Sequence, residues 1–259
     1  MTEVEFKVTQ GQNVAASLPR HLNPLPRSVV RSNTFLLLDG EWRFDLDLED
    51  RGLRERWYLQ HDYSDKTHWP GSIEAHMAAA HTAAGYASSW KDEVVAWYER
   101  DFEVPSAWNS PGTEVQVTFG ACGYETRVWL NGRPLSTIEG EEAHQGEYTS
   151  FSFELPRDYL TSVNRLTVRV ADTFDPDRPR GKQESHVYKR GGIWYQTISG
   201  PVRSIWIEPI ERNRLRSRLG VVSSIEDRMV EFRLTTRIYD PGLYHLRIVV
   251  SAPGVEQPL

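Results

Sequence analysis

The chain has 259 residues, with 36 acidic against 30 basic side chains and a formal net charge of -6. That balance, with no basic cluster, disfavours a nucleic-acid or anionic-membrane surface, because both select clustered positive charge. No stretch approaches the roughly 18 consecutive apolar residues of a membrane-spanning helix, and the first residues carry neither the basic nor the apolar region of a leader, so a soluble, cytoplasmic chain is expected.

Residues 1–30 form an N-terminal arm containing Pro24-Leu25-Pro26-Arg27. Alternation then predicts a strand at Leu38 to Phe44, followed by short helical turns at Arg51 to Tyr58 and between Ile73 and Ala84. His76 and His81 are five apart, which is not the spacing of a helical zinc pair. Further strands are predicted at Trp97 to Val104, Val115 to Phe119, Thr126 to Leu130, Leu166 to Val170 and Ser204 to Glu208. Thr126 to Leu130 runs into Asn131-Gly132, a strong hairpin signal, because a type I′ turn needs positive φ at both central residues. Pro134 suits an edge strand, and Asp175-Pro176-Asp177 reads as a turn. The single cysteine, Cys122, lies in an apolar-alternating segment, which predicts buried packing. Trp42, Trp97, Trp129 and Trp206 all fall inside or beside predicted strands, where their area serves a core.

Many short strands without an amphipathic helix of three turns indicate an all-β sandwich. The segment after Glu211 is arginine-rich and reads as a linker or exposed strand. Val230 to Ile238 and Tyr244 to Val250 then alternate about Asp240-Pro241-Gly242, which predicts a hairpin between those two runs. An immunoglobulin-like sandwich takes about 100 residues, so a second domain at 211–259 is expected to be incomplete.

Several runs occur together in one order. They are Leu38-Asp39-Gly40-Glu41-Trp42-Arg43-Phe44, Trp97-Tyr98-Glu99-Arg100-Asp101-Phe102-Glu103-Val104-Pro105, Trp129-Leu130-Asn131-Gly132, His144-Gln145-Gly146-Glu147-Tyr148-Thr149-Ser150-Phe151, Arg180-Gly181-Lys182-Gln183 and the block from Gly192 to Gly200. This series resembles the N-terminal sugar-binding domain of glycoside hydrolase family 2, the family of β-galactosidases, β-glucuronidases and β-mannosidases. The resemblance implies a jelly-roll, galactose-binding-like β-sandwich over 31–210, followed by a partial immunoglobulin-like sandwich at 211–259. The acidic loop Thr137 to Glu142 is longer than the family's usual link, and Gly200-Pro201-Val202-Arg203 replaces its usual Gly-Ile-Trp-Gln.

Retaining glycosidases use two carboxylates about 5 Å apart. In this family both come from a (β/α)₈ barrel of about 250 residues, and neither the Asn-Glu acid/base motif nor the Arg-x-x-His-Tyr-Pro signature occurs in this chain. No catalytic residue is therefore assigned. The chain reads as a non-catalytic, sugar-binding part of an enzyme that hydrolyses β-glycosides, β-galactosidase-like, with the barrel and a carbohydrate as partners and a homo-oligomer among the expected states. No nucleic-acid or membrane partner is expected.

The resemblance also implies a substrate rim. A sugar-touching aspartate of the family lies six positions before the closing glycine, where this chain has Trp194. Trp194 and Tyr195 offer aromatic faces to a pyranose ring, against plain packing. Lys182 and Gln183 match the loop that runs toward the catalytic mouth, and His144 lies before Gly146-Glu147-Tyr148 and reads first as a loop cap. Asp172 stands where a β-galactosidase-like aspartate binds magnesium. A divalent cation there is the one cofactor implied, against a simple turn-solvating role. Two readings compete: a free-standing lectin-like carbohydrate-binding module, and a structural domain making oligomer contacts through Leu18 to Arg27.

Overall fold

The computed structural model describes residues 2–4, 35–79 and 93–246. The arm apart from residues 2–4, all of 80–92 with His81, and the end of the expected strand to Val250 lie outside the described residues. The chain divides into two compact units, Pro24–Glu211 and Arg212–Leu259 together with Met1–Asn23.

The first unit is a sandwich of two sheets. Its strands and helices are β2 (Leu36–Leu37), β3 (Gly40–Leu46), α1 (Gly52–Glu55), β4 (Asp65–Trp69), α2 (Ile73–Ala79), β5 (Glu93–Phe102), β6 (Thr113–Phe119), β7 (Glu125–Leu130), β8 (Arg133–Pro134), β9 (His144–Gln145), β10 (Phe151–Leu155), β11 (Asn164–Thr173) and β12 (Ile205–Glu211), while β1 (Thr2–Val4) belongs to the second unit. The larger sheet runs β4-β3-β5-β11-β7-β8, with β9 also on β7, and the smaller runs β10-β6-β12-β2. The all-β expectation holds, and both expected helical regions are single short helices.

Alternation sets which face is buried. Leu166, Val168 and Val170 of β11, Val94, Ala96 and Tyr98 of β5, and Trp42 and Phe44 of β3 meet Val115, Val117 and Phe119 of β6, Phe151 and Phe153 of β10, and Ile205 and Ile207 of β12 in one core. Register aligns these side chains: Phe119 stands opposite Phe151 on one side and Ile205 on the other, and the two phenyl rings stack at 4.8 Å. Burying such a side chain contributes about 1.5–3 kcal/mol. Cys122 is fully buried in this core, as packing predicts. His76 is enclosed as well, with Nδ1 3.0 Å from the Tyr98 hydroxyl and Nε2 3.0 Å from the His68 carbonyl. Burial pushes its pKa down to about 4, so it remains neutral.

The outer face of the larger sheet is covered in its own right. Trp57, Trp97 and Trp129 pack with Val95 and Ala171 under Leu53, Tyr58 and Tyr63. Asp47 fixes the covering segment by accepting from the Arg51 and Gly52 amides at 2.9 and 2.8 Å and from the Trp97 indole at 3.0 Å. A Cβ at Gly52 would come within 2.6 Å of that indole, so only glycine lets the helix start this close to the sheet.

The turn expected at Asn131-Gly132 is present, with φ of 52° and 79°. Pro134 lies at the sheet edge. Asn131 does more than turn the chain: its Oδ1 accepts from the Arg165 amide at 2.8 Å, and its Nδ2 donates to the Tyr159 carbonyl at 2.7 Å.

In the second unit the expected hairpin is not formed. β14 (Met229–Arg237) pairs with β13 (Arg214–Ser224), while β15 (Tyr244–Leu246) pairs in parallel with β1. The turn at Ile225–Arg228 joins β13 to β14. Ser224 Oγ accepts from the Asp227 amide at 3.1 Å and donates to its carboxylate at 2.7 Å, and Arg228 takes φ 51°. A tight side-chain-braced turn closes β13 onto β14, at low loop entropy. Of the two readings of the arginine-rich segment, linker or exposed strand, the structure has a strand: from Arg214 on it is the start of β13.

If Asn131 were only a turn former, Asn131→Gly would be nearly neutral. Its side-chain bonds instead predict a loss of about 1–3 kcal/mol, measured by urea unfolding.

Candidate functional site

β11 leads to the site. Its core-facing positions are Leu166, Val168, Val170 and then Asp172, so an apolar row ends in a carboxylate that is wholly buried. Asp172 Oδ1 accepts from the Thr173 amide at 2.7 Å, and Oδ2 accepts from the Arg180 guanidinium at 3.0 Å. Arg180 also reaches Glu147, at 3.5 Å. The three side chains are sequestered, with 0% of Asp172, 0% of Glu147 and 4% of Arg180 exposed. Gly123 leaves the room: a Cβ there would stand 2.7 Å from Glu147 Oε2. Gly123 and Gly200 bridge one another, closing the loop that follows Arg180 back onto the sandwich.

That loop is tied to the cluster through Gln183. Its Oε1 accepts from Arg180 at 3.3 Å and from the Ile198 amide at 2.7 Å, and its Nε2 donates to the Tyr148 hydroxyl at 2.8 Å. Backbone bonds from Tyr195 to Lys182 at 3.0 Å and from Glu184 to Tyr195 at 2.8 Å draw the two limbs together. Farther out, Tyr188 and Trp194 stack at 4.0 Å, and Arg190 pairs with Glu184 at 2.9 Å. Tyr148, Val187, Tyr188, Ile193, Tyr195 and Ile198 are all exposed.

The expected rim residues therefore separate. Tyr195 and Lys182 are exposed and Trp194 is half-buried with one ring face against Tyr188, so these three share the loop surface. Gln183 is buried and serves as the tie beneath them. His144 stacks on Phe151 at 3.6 Å, with Nε2 enclosed. Burial pushes it down to about 4, so it is a neutral packing group rather than a proton carrier. Asp172 does not fit a divalent cation. A guanidinium fills the place beside it, and among the described residues no three His, Cys, Asp or Glu side chains are grouped to hold a metal. Asp175 to Asp177 is the expected turn.

Sequence reasoning missed Glu147, Arg180 and Tyr148 as a unit. They lie in loops separated by 33 residues, where no periodicity operates.

A β-sandwich that exposes aromatic and basic side chains on one pinned loop has the makings of a carbohydrate-contacting domain. Comparison with known proteins gives the family. Residues 35–198 match the model of "Glycosyl hydrolases family 2, sugar binding domain", and the chain belongs to that family. A β-glucuronidase of Paenibacillus borealis is 26% identical over 140 residues, covering 53% of this chain and 21% of its own length. A putative β-glucuronidase of Formosa agariphila is 21% identical over 164 residues, covering 62% of this chain and 18% of its own length. The chain thus spans about a fifth of the curated relatives it matches. In fold it is similar to an uncultured Clostridium sp. β-glucuronidase (TM-score 0.57, 19% identity, 81% of this chain and 35% of that one) and to a Lactobacillus rhamnosus β-glucuronidase (TM-score 0.57, 19% identity, 78% and 33%).

Removing the guanidinium would leave two carboxylates buried without a cation. Arg180→Ala is expected to cost about 3–5 kcal/mol in urea unfolding at pH 7, with Arg180→Lys recovering only part, because an ammonium cannot span two carboxylates as a planar fork does.

Proposed function

We propose that this chain is the non-catalytic, sugar-contacting part of a family 2 enzyme that hydrolyses β-glycosides, and that its loop from Lys182 to Ile198 meets the carbohydrate. The observation that carries this is the exposed surface of Lys182, Tyr195 and the Tyr188–Trp194 stack, which lies within the span matching the sugar-binding family. Aromatic faces suit the apolar face of a pyranose ring, and an ammonium group suits its hydroxyls or a carboxylate. The names of the curated relatives favour a β-glucuronide over the β-galactoside that sequence motifs suggested.

Chemistry within the described sandwich does not extend to bond cleavage. Asp172 and Glu147 share Arg180, but both are closed off from solvent, whereas a retaining pair must flank an entering glycosidic bond. A loop surface that covers one side of a sugar leaves most of it hydrated, while ligand pockets bury about 70–90% of their ligand. The free-standing binding module remains the second reading, supported by the same exposed aromatics.

The purified chain is expected to leave aryl β-glucuronides and β-galactosides uncleaved, and to bind glucuronate, galactose or mannose no tighter than about 1 mM by isothermal titration. Repurification-resistant turnover would overturn the non-catalytic assignment. Micromolar binding abolished by Trp194→Ala would instead establish the free-standing module.

A further inference from the structure

We propose that Glu147, Asp172 and Arg180 form a proton-dependent latch holding the loop Gly181–Ile198 on the sandwich, closed while the two carboxylates share one proton and released when both are ionised. The proposal concerns the loop whatever it binds, and so goes beyond the carbohydrate reading.

Two carboxylates and one guanidinium, all but excluded from solvent, carry a net charge of minus one when fully ionised. An uncompensated charge in such a place is strongly unfavourable. One proton removes it.

Hydrogen bonding then says which carboxylate takes the proton. Asp172 has the Thr173 amide at 2.7 Å and Arg180 at 3.0 Å, whereas Glu147 meets Arg180 only at 3.5 Å and otherwise faces Asp172, to which it can hydrogen-bond only when one of the two is protonated. Burial, with Asp172 adding to it, pushes the Glu147 carboxyl up to about 8. The groups facing it come from every element packed there. They are Asp172 from β11, Arg180 and Gln183 from the loop, Cys122 from the segment before β7, and Tyr148 next in the chain, with Tyr195 hydrogen-bonded to Tyr148. Burial raises the Cys122 thiol and the Tyr148 hydroxyl, so both stay neutral and add no charge. At the far end of the loop, Glu74 of α2 accepts from the Ser199 amide at 3.0 Å and is itself raised by burial.

The linkage has a definite sign. A carboxyl raised above its ordinary value near 4.5 binds its proton more tightly folded than unfolded. Its stabilising contribution is full below that ordinary value and is lost as pH rises through about 8. The loss reaches the loop through Gln183, whose Oε1 holds both Arg180 and the Ile198 amide. Water reaches the ionised pair only when the loop carrying Arg180 swings away, and because Gln183 holds both Arg180 and Ile198 the start and the end of the loop loosen together.

Hydrogen exchange followed by mass spectrometry on the full chain, between pH 6.5 and 9 and corrected for intrinsic exchange, tests this. Protection of peptides covering 182–198 should fall at least tenfold over that range, while peptides covering β11 remain unchanged. Glu147→Gln and, separately, Asp172→Asn should keep the loop protected at pH 9, because each removes one negative charge. Should either variant fail to fold, the wild-type pH series with β11 as internal control still decides. Constant loop protection across the range, an equal fall in β11, or a wild-type-like fall in a folded Glu147→Gln would overturn the latch.

Discussion

The sandwich depends on β11 being buried on both faces. Leu166, Val168 and Val170 enter the core between the sheets, while Thr167, Arg169 and Ala171 lie under the segment that covers the outer face. It pairs with β5 along its whole length and with β7 over most of it. A strand so enclosed has no place for an unpaired charge, yet two of its buried residues, Arg169 and Asp172, are charged. Arg169 is met by Asp50 at 2.7 Å and Glu125 at 3.2 Å near the surface, and Asp172 is met by Arg180 in the interior.

These two solutions have different consequences. At the outer face, carboxylates come from partly exposed positions, where water screens what the pairing leaves incomplete. At the end of the core row, the cation must be brought in on the chain itself. The loop after Arg180 is therefore committed to return across Gly123 and Gly200, where the backbones touch and a side chain at Gly123 would strike Glu147. Electrostatic compensation inside the sandwich thus fixes where the loop leaves and where it re-enters.

The same geometry explains why aromatic side chains are left outside. With both limbs tied down by Gln183 and by the backbone bonds between Lys182, Glu184 and Tyr195, the apex has no core to enter. Tyr188 and Trp194 bury part of their area against each other instead. The exposed Tyr188 and Tyr195 and the half-buried Trp194 are carried by a loop tied through Gln183 to the buried polar cluster below it.

The sequence alone determined the β class, the faces of the strands and the tryptophan core, because alternation with period two is a local property that each strand carries by itself. It also determined the Asn131-Gly132 turn, since backbone conformation at φ above zero is set by residue type. The pairing of β14 with β13, and of β15 with β1, was not readable, because which strand edges meet is set by contacts through space and not by the alternation each strand carries. The family motifs located the loop surface at Lys182, Trp194 and Tyr195, but placed Gln183 and His144 on the rim with them. Only the tertiary structure joined Glu147, Asp172 and Arg180. Charge compensation acts between side chains through space, and residues 33 positions apart leave no trace of that meeting in the order of the chain.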